Sequence, residues 1–273
     1  MTILITGATG NAGGAVAQSL AAQGIPGRGL VRAAAHLPPG IEPVTGDLNR
    51  PESFADALPG VTGIFLLSGY ERLDELLANA VRAGIRKVVV LSSSSLDGEP
   101  VNAVAAYHHA TEEAVRASGL AWTFLRPNSF MSNTLRWLDQ LRAGDEVRVQ
   151  FPDVPVSTIH PLDIGDLAVR ALQGAHDSEV LRLTGPVALT PVEQVGILAE
   201  GLGRPLTAYP MSRAETHAEL HASMPEPYAA AIESFFGDRT IDETSVNTTV
   251  ADVTGHPART LQTWVQENSS LFG

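Results

Sequence analysis

Thr6-Gly7-Ala8-Thr9-Gly10-Asn11-Ala12-Gly13-Gly14 is the most informative segment of this chain. The apolar residues 3–5 before it predict a short buried strand, and residues 15–24 after it predict a helix that ends at a glycine. Glycines spaced three apart between a strand and a helix are typical of a turn that binds a dinucleotide, because the backbone can approach a pyrophosphate there. We predict that Gly7, Thr9, Gly10, Asn11, Ala12 and Gly13 bind a cofactor. The alternative is a glycine turn without a ligand.

Short apolar runs and helical patterns alternate along the first half of the chain. After the first strand, the predicted strands cover residues 28–32, 41–48, 61–69, 87–91 and 120–127, and helices are predicted at 51–58, 73–83 and 102–118. Such alternation is typical of a parallel sheet with helices on both faces. We therefore predict an α/β fold, a doubly wound parallel sheet of the Rossmann type, with a cofactor-binding domain at residues 1–127.

The alternation becomes looser after Pro127. Further strands are predicted at residues 155–160, 179–184 and 205–210, with helices between them, and the chain from Ser212 onward is mostly helical and acidic. We predict that residues 128–273 form a smaller, mixed α/β substrate-binding lobe. This lobe is interleaved with the sheet and closes over the nicotinamide end of the cofactor.

Composition excludes several classes of protein. The chain has no cysteine, so it forms no disulfide and no thiolate metal site. It has no apolar run long enough to span a membrane, and its start lacks the pattern of a secretory signal, so a cytoplasmic location is expected. The net charge of -12 argues against a nucleic-acid partner. The expected partner is a small molecule, and the expected assembly is a monomer or a homodimer.

The end of the second predicted strand indicates which nicotinamide cofactor binds. NAD-specific sites usually carry an acidic residue there, whereas this chain has Arg32, whose guanidinium can bind the 2′-phosphate of NADP. Asp47 follows the third strand and either contacts the adenine or caps the next helix. Ligands of open α/β sheets bind at the carboxyl ends of strands, so Leu67, Ser68 and Ser92 are also predicted to contact NADPH.

Residues 123–133, Thr-Phe-Leu-Arg-Pro-Asn-Ser-Phe-Met-Ser-Asn, form the most specific motif. Together with the glycine turn, the Leu30-Val31-Arg32 ending and Gly46-Asp47-Leu48, this motif resembles the NmrA-like group of atypical short-chain dehydrogenases/reductases over nearly the whole chain. The resemblance implies a Rossmann fold and NADP(H) binding. It also implies one of three roles: a quinone reductase, a ketone reductase of aromatic polyketide pathways, or a cofactor-sensing regulator without turnover.

The chain departs from the wider superfamily at the catalytic pair Tyr-x-x-x-Lys. Its only lysine is Lys87, which has Ala83 four residues before it. Alignment of the 102–118 helix places His108 at the lysine position and Val104 at the tyrosine position. We predict that His108 and Ser93 are the catalytic remnant, with Ser94 as the alternative for the serine position. We also predict that Glu112 pairs with His108 and that Tyr107 points in a different direction. The alternative for His108 is a structural role.

A site without the catalytic pair favours an acceptor that is already activated. Hydride transfer then depends mainly on the position of the acceptor, and its own hydroxyl, water or His108 supplies the proton. The predicted substrate contacts are Ser94, Asn128, Phe130, Met131 and Trp137, with Phe151 as a further apolar contact, and for each aromatic or Met side chain the alternative is a plain core residue.

These patterns predict an NADPH-dependent oxidoreductase that reduces a quinone or an aromatic polyketide-like ketone. The alternative is a non-catalytic NADP-binding redox sensor that acts through a protein partner. An epimerase or dehydratase on the same fold would need the missing catalytic pair. No metal is predicted, because His108, His109 and His160 share no metal-ligand spacing.

Overall fold

A seven-stranded parallel sheet lies at the centre of the computed structural model, which describes residues 1–97 and 102–272. Its strand order is β3-β2-β1-β4-β5-β6-β8, and β7 and β9 form a separate two-stranded parallel sheet. The strands are β1 (Ile3–Ile5), β2 (Gly27–Val31), β3 (Ile41–Thr45), β4 (Gly63–Leu67), β5 (Lys87–Leu91), β6 (Ala121–Pro127), β7 (Glu146–Val149), β8 (Glu179–Leu183) and β9 (Thr207–Pro210). The predicted Rossmann-type α/β fold is confirmed.

Helices cover both faces of the main sheet and build the region beyond it. They are α1 (Asn11–Ala22), α2 (Leu73–Arg82), α3 (Ala103–Ala117), α4 (Leu138–Ala143), α5 (Pro161–Leu172), α6 (Pro191–Leu202), α7 (Arg213–Ser223), α8 (Glu226–Ile232), α9 (Thr249–Thr254) and α10 (Leu261–Asn268). Shorter 3-10 segments cover Pro51–Ala57, Ser94–Asp97, Met131–Trp137 and Ser269–Leu271, and a π-helical turn covers Glu233–Gly237. Asn102 begins α3 by accepting hydrogen bonds from the N–H groups of Val104 and Ala105.

The core is divided by the sheet into two apolar layers, and a third cluster lies beyond it. Side chains of β1, α1 and α5 share the first layer, whereas those of β4, β5, α2 and α3 fill the second. The central strands are buried on both faces, which explains why their sequences are continuously apolar rather than alternating. The third cluster joins residues 131–149 with α6 and α10.

Helix α1 lies unusually close to its neighbours. Gly7 adopts a left-handed φ of 61°, which turns the chain from β1 toward α1. A Cβ on Gly13 would lie 2.6 Å from the carbonyl oxygen of Thr6, and a Cβ on Gly165 of α5 would lie 2.6 Å from that of Ala15. Glycine at both positions therefore lets α1 pack directly against the backbone of the turn and of α5.

Several element boundaries differ from the prediction. Residues 155–160 form no strand and make only isolated bridges, between Phe130 and Ile159 and between Val156 and Leu189. The helix predicted at residues 51–58 is a 3-10 segment interrupted at Phe54, whose φ of -133° is not helical. Strand β3 ends at Thr45, so Asp47 lies in a loop. Strand β7 was absent from the prediction because its alternating pattern spans only four residues.

The second half of the chain contributes to the main sheet. Strand β8 pairs with β6 in parallel, with Thr123 opposite Glu179, and α5 packs on α1. This agrees with the expected interleaving, whereas the boundary between residues 127 and 128 stays a prediction. Among residues 1–97 and 102–272, no helix has the length and apolarity needed to cross a membrane.

Replacement of Gly165 by Ala tests the contact between α1 and α5. The new methyl group has no space beside Ala15 and Ser19, so Gly165→Ala should lower the free energy of unfolding by about 1–3 kcal/mol. The control is Gly196→Ala in the exposed face of α6, where nothing lies within 4 Å and alanine should stabilise the helix by up to about 1 kcal/mol. Urea unfolding of both variants measures the difference, and equal midpoints would contradict the close packing.

Candidate functional site

A groove of about 580 Å³ opens beside the glycine turn. Of the predicted cofactor residues, Thr9, Gly10 and Asn11 line it directly. The opposite walls come from the loop after β2, the start of α5 and the helix α10, through His36, Leu37, Pro38, His160, Pro161, Leu162, Trp264, Glu267 and Asn268. The wall from α10 was not predicted, because the sequence gives no sign that a helix about 250 residues away in the chain reaches the turn.

The start of α1 fits a phosphate group. No side chain caps this helix at Gly10, and no acidic residue occupies its first turn. The first N–H groups of a helix have no partner within the helix, so here they are left for a ligand in the groove. Gly7, Ala12 and Gly13 shape the turn rather than line the groove, since Ala12 and Gly13 are buried beneath it.

Arg32 and Asp47 differ in the hydrogen bonds and ion pairs that their side chains form. Arg32 is exposed just after β2, and none of the described residues forms a hydrogen bond or an ion pair with its guanidinium. Asp47 accepts a hydrogen bond from the N–H of Asn49 at 2.9 Å and pairs with Arg50 at 3.4 Å. Of the two uses predicted for Asp47, capping of the next segment does not occur, because Arg50 begins that segment without a side-chain cap.

Leu67, Ser68 and Ser92 stand at the carboxyl ends of adjacent strands. The side chain of Leu67 packs over Gly7. The hydroxyl of Ser68 donates to the carbonyl oxygen of Leu91 at 2.9 Å, which joins the ends of β4 and β5. The hydroxyl of Ser92 is buried and donates to Glu112 at 2.6 Å. Their contact with a cofactor stays a prediction.

A second cleft, an apolar cavity of about 500 Å³, lies at the carboxyl ends of β5 and β6. One wall comes from the strand ends and α3, and the other from the helices of the second half of the chain. Its apolar lining includes Phe130, Phe151, Val154, Leu220, Met224, Ile232, Phe235 and Phe236. Its polar lining includes residues 92–95, Tyr107, His108, Asn128, Ser129, Asn133, Arg136, Gln150 and Glu243.

Tyr107 and His108 both line this cavity, so the prediction that they point in different directions was wrong. Their ring centroids are 4.3 Å apart, so the two rings pack against each other in the wall of the cavity. Burial lowers the pKa of His108 from 6.5 to about 4, an effect that Glu112 opposes and Arg126 reinforces. Burial also raises the pKa of Tyr107. Both side chains are therefore neutral at neutral pH.

Glu112 does not pair with His108, contrary to the prediction. Its carboxylate is 1% exposed and binds Arg126 through two hydrogen bonds, at 3.0 and 2.8 Å, as well as Ser92. Burial alone would raise the pKa of Glu112, but the hydrogen bonds from Arg126 and Ser92 outweigh it and hold the pKa below its ordinary value. The Nδ1 atom of His108 is left buried without a hydrogen-bond partner among the described residues.

Glu243 organises the serines and Asn128 at the strand ends, and no sequence pattern predicted this contact. Its carboxylate accepts hydrogen bonds from Ser94 at 2.8 Å and from the hydroxyl of Ser129 at 2.6 Å. The amide of Asn128 donates to the carbonyl oxygen of Glu243 at 3.2 Å, and its own oxygen accepts from Arg182. The hydroxyl of Ser93 accepts from the N–H of Ser95 at 3.1 Å. These polar groups line the cavity but already have partners.

The predicted aromatic contacts divide between the cavity and the core. Phe130 and Phe151 line the cavity as expected. Met131 and Trp137, each 2% exposed, belong to the third core cluster and do not line the cavity, so their prediction as substrate contacts is corrected. They point away because the 3-10 segment Met131–Trp137 turns three residues per revolution and presents its apolar edge to α6 and α10.

Two groups of histidines and carboxylates lie outside both clefts. Asp163, Asp166 and His256 meet near α5, but Arg259 binds both carboxylates and supplies the balancing charge. His217 and His221 lie one turn apart on α7 and meet Glu233, whose two oxygens are 2.9 and 3.3 Å from the histidine nitrogens. The His-x-x-x-His spacing of residues 217 and 221 is visible in the sequence but was overlooked, whereas the contribution of Glu233 is not visible because it comes from another helical segment.

Comparisons with known proteins identify the family. The NAD(P)H-binding family model matches residues 7–174. The chain is 38% identical over 280 residues to a (4-alkanoyl-5-oxo-2,5-dihydrofuran-3-yl)methyl phosphate reductase of Streptomyces griseus, with 99% of each chain covered. It is 30% identical over 284 residues to an NAD(P)H azoreductase of Xenophilus azovorans, again with 99% of each chain covered. The chain is an NAD(P)H-dependent reductase of this family.

Solved structures place the reductase in the same fold. The NADPH-dependent quinone oxidoreductase of Escherichia coli in complex with NADPH superposes with a TM-score of 0.76 at 24% identity over the full length of both chains. The triphenylmethane reductase of Citrobacter superposes with a TM-score of 0.78 at 22% identity, covering 98% of this chain and 99% of that one. The predicted membership in a family of NAD(P)H-dependent reductases is confirmed.

One segment of the reductase forms a wall of both clefts. Within Met131–Trp137, Ser132 and Leu135 line the groove, whereas Asn133 and Arg136 line the cavity. One side of this segment therefore faces the groove beside the glycine turn, and another side faces the cavity at the strand ends. The groove and the cavity are therefore neighbours, and this segment forms the wall between them.

Substitution of Arg32 tests which cofactor the reductase prefers. A hydrogen-bonded charged group contributes about 1.5–3 kcal/mol, so Arg32→Ala should weaken NADPH binding roughly 10- to 100-fold and leave NADH binding little changed. Dissociation constants for both cofactors, measured by fluorescence titration, give the comparison. Arg50→Ala is the matched control, because Arg50 is equally exposed but pairs with Asp47. Equal losses for NADPH and NADH would contradict the assignment.

Proposed function

We propose that the reductase transfers a hydride from NADPH to a quinone or an aromatic polyketide-like ketone. The observation that carries this proposal is the apolar cavity at the ends of β5 and β6, in whose lining the side chains of His108 and Tyr107 are both neutral at neutral pH. For a quinone, NADPH and one proton are consumed, and NADP and the hydroquinone are formed. The two electrons of the hydride account for the reduction.

The cavity favours an acceptor that needs little acid catalysis. The only lysine of the chain, Lys87, lies at the opposite end of β5, where it binds the carbonyl oxygen of Ala175 and the carboxylate of Asp177. No ammonium group therefore lowers the pKa of Tyr107, which burial raises instead. An unactivated ketone requires proton donation as the hydride arrives, whereas a quinone spreads the new charge over its own conjugated system.

The relatives support an electron-poor, conjugated acceptor. One is named as an azoreductase, another as a quinone oxidoreductase, and a third as a reductase of an alkanoyl-substituted oxo-dihydrofuran. These acceptors differ in size, but each named group is unsaturated. The wide apolar lining of Phe130, Phe151, Phe235 and Phe236 suits such flat molecules, since aromatic faces pack well against them.

The residues at the strand ends have separate roles in this proposal. When bound, NADPH supplies the hydride to an electrophilic carbon. His108 stays neutral and donates a hydrogen bond to the acceptor oxygen as negative charge develops there. Ser93 lies beside it on the same wall, where its hydroxyl can turn from Ser95 toward the acceptor. Water that enters through the open side of the cavity supplies the proton.

A panel of acceptors tests the function. With NADPH in excess, naphthoquinone and a hydroxylated polycyclic aromatic ketone should be reduced at least about 100-fold more efficiently than cyclohexanone, because a positioned general acid contributes about that much to an unactivated ketone. The loss of NADPH absorbance measures the rate. Saturable NADPH binding without turnover of any acceptor would overturn the proposal.

His108→Ala tests the hydrogen-bond role. Loss of one donor to a developing oxyanion should lower kcat for naphthoquinone by about 100-fold, while the dissociation constant of NADPH stays the same. His109→Ala is the matched control, because His109 is exposed on the same helix and does not line the cavity. Since the pKa of His108 is about 4, the kcat of the parent enzyme should also show no inflection near pH 6.5. An unchanged kcat in His108→Ala would exclude this role.

A further inference from the structure

Arg136 lines the apolar cavity from the segment shared with the groove. Its guanidinium carbon lies 4.9 Å from the centre of the Trp137 ring, which fixes the side chain along the cavity wall. The residue is exposed to solvent, so its guanidinium is accessible to water and to ligands in the cavity.

The guanidinium of Arg136 has no partner among residues 1–97 and 102–272, since none of them accepts a hydrogen bond from it or lies within ion-pair distance. Among the described lining residues, Glu243 is the one carboxylate, and its oxygens accept hydrogen bonds from Ser94 and Ser129. Burial lowers the pKa of Arg136, and the more distant Glu219 offsets this only in part. The cavity therefore contains a positive charge that the protein leaves uncompensated.

The surroundings of Arg136 do not supply the missing anion. Glu219 is held by Gln150, which donates to it at 2.9 Å, and by Arg148 at 4.0 Å. On the other side, Asn133 lines the cavity three residues earlier on the same segment and adds a polar side chain. An arginine in an apolar-lined cavity that has no acceptor among the described residues can bind an oxyanion through two parallel hydrogen bonds.

We propose that Arg136 binds an anionic group of the acceptor: a carboxylate, a phosphate or a sulfonate. This inference rests on the proposed function and narrows it. The acceptor is then an amphipathic molecule, with a conjugated ring against the strand ends near His108 and an oxyanion at Arg136. An arginine is suited to this task because its planar fork matches an oxyanion and its charge persists at every physiological pH.

Two quinones that differ in one charged group test the inference. We compare kcat/KM for naphthoquinone and for naphthoquinone sulfonate in the parent enzyme and in Arg136→Gln. The ratio of the sulfonated to the neutral acceptor should fall by about 10- to 100-fold in the variant, as expected for the loss of hydrogen bonds to a charged group. Each acceptor is compared with itself across variants, so differences in intrinsic reactivity cancel.

Arg142→Gln is the matched control. Arg142 lies on α4, pairs with Asp139 at 3.2 Å and does not line the cavity, so this variant should keep the parent ratio. An equal fall for both quinones in Arg136→Gln, or the same shift in Arg142→Gln, would overturn the inference.

A binding measurement separates this inference from the proposed function. Naphthyl phosphate and naphthol are titrated into the NADPH complex, with the fluorescence of Trp137 beside Arg136 among the signals. The phosphate should bind at least about 10-fold more tightly than naphthol in the parent, and this preference should disappear in Arg136→Gln. Turnover failure with both quinones contradicts the reductase proposal alone, whereas equal binding of the two naphthyl compounds contradicts the role of Arg136.

Discussion

The close backbone contacts of α1 determine the position of the groove at its start and the packing of α5 beside it. Gly13 allows this helix to lie on the carbonyl groups of the turn, and Gly165 allows α5 to pack on its other side. These contacts set the uncapped start of α1 at the groove. They also join the first half of the chain to the second, because α5 leads into β8, the last strand of the sheet. The groove beside the glycine turn thus depends on both halves of the chain.

Electrostatics at the strand ends explain why the site lacks a strong acid. Glu112 is buried in α3, and its charge is balanced by Arg126, which also pairs with Asp97 at 2.7 Å. Arg182 extends the network from Asp97 to Asn128. Each of these charged side chains forms an ion pair with another member of the network. His108 lies outside this network and is neutral at neutral pH, so it adds no charge to the cavity.

Local patterns predicted the parts of the molecule that local forces determine. The strands of the sheet, the glycine turn and the helix α3 follow from apolar runs and from caps, so their positions were predicted to within a few residues. Contacts between distant residues were not predictable. Glu243 reaches Asn128 from 115 positions away, and the rings of Tyr107 and His108 meet only because side-chain packing outweighs the ideal helical angle. Met131 and Trp137 are residue types that often line binding pockets, but the same types also fill hydrophobic cores, as both do here. The sequence alone does not separate these two roles.

The segment Met131–Trp137 has a consequence for kinetics. Because Ser132 and Leu135 face one cleft while Asn133 and Arg136 face the other, any adjustment of this turn on one side changes the shape of the opposite side. We expect the affinities of ligands in the two clefts to be linked through this turn, and linkage requires the two effects to be reciprocal. Each ligand would then change the affinity for the other by the same factor, whichever of them associates first.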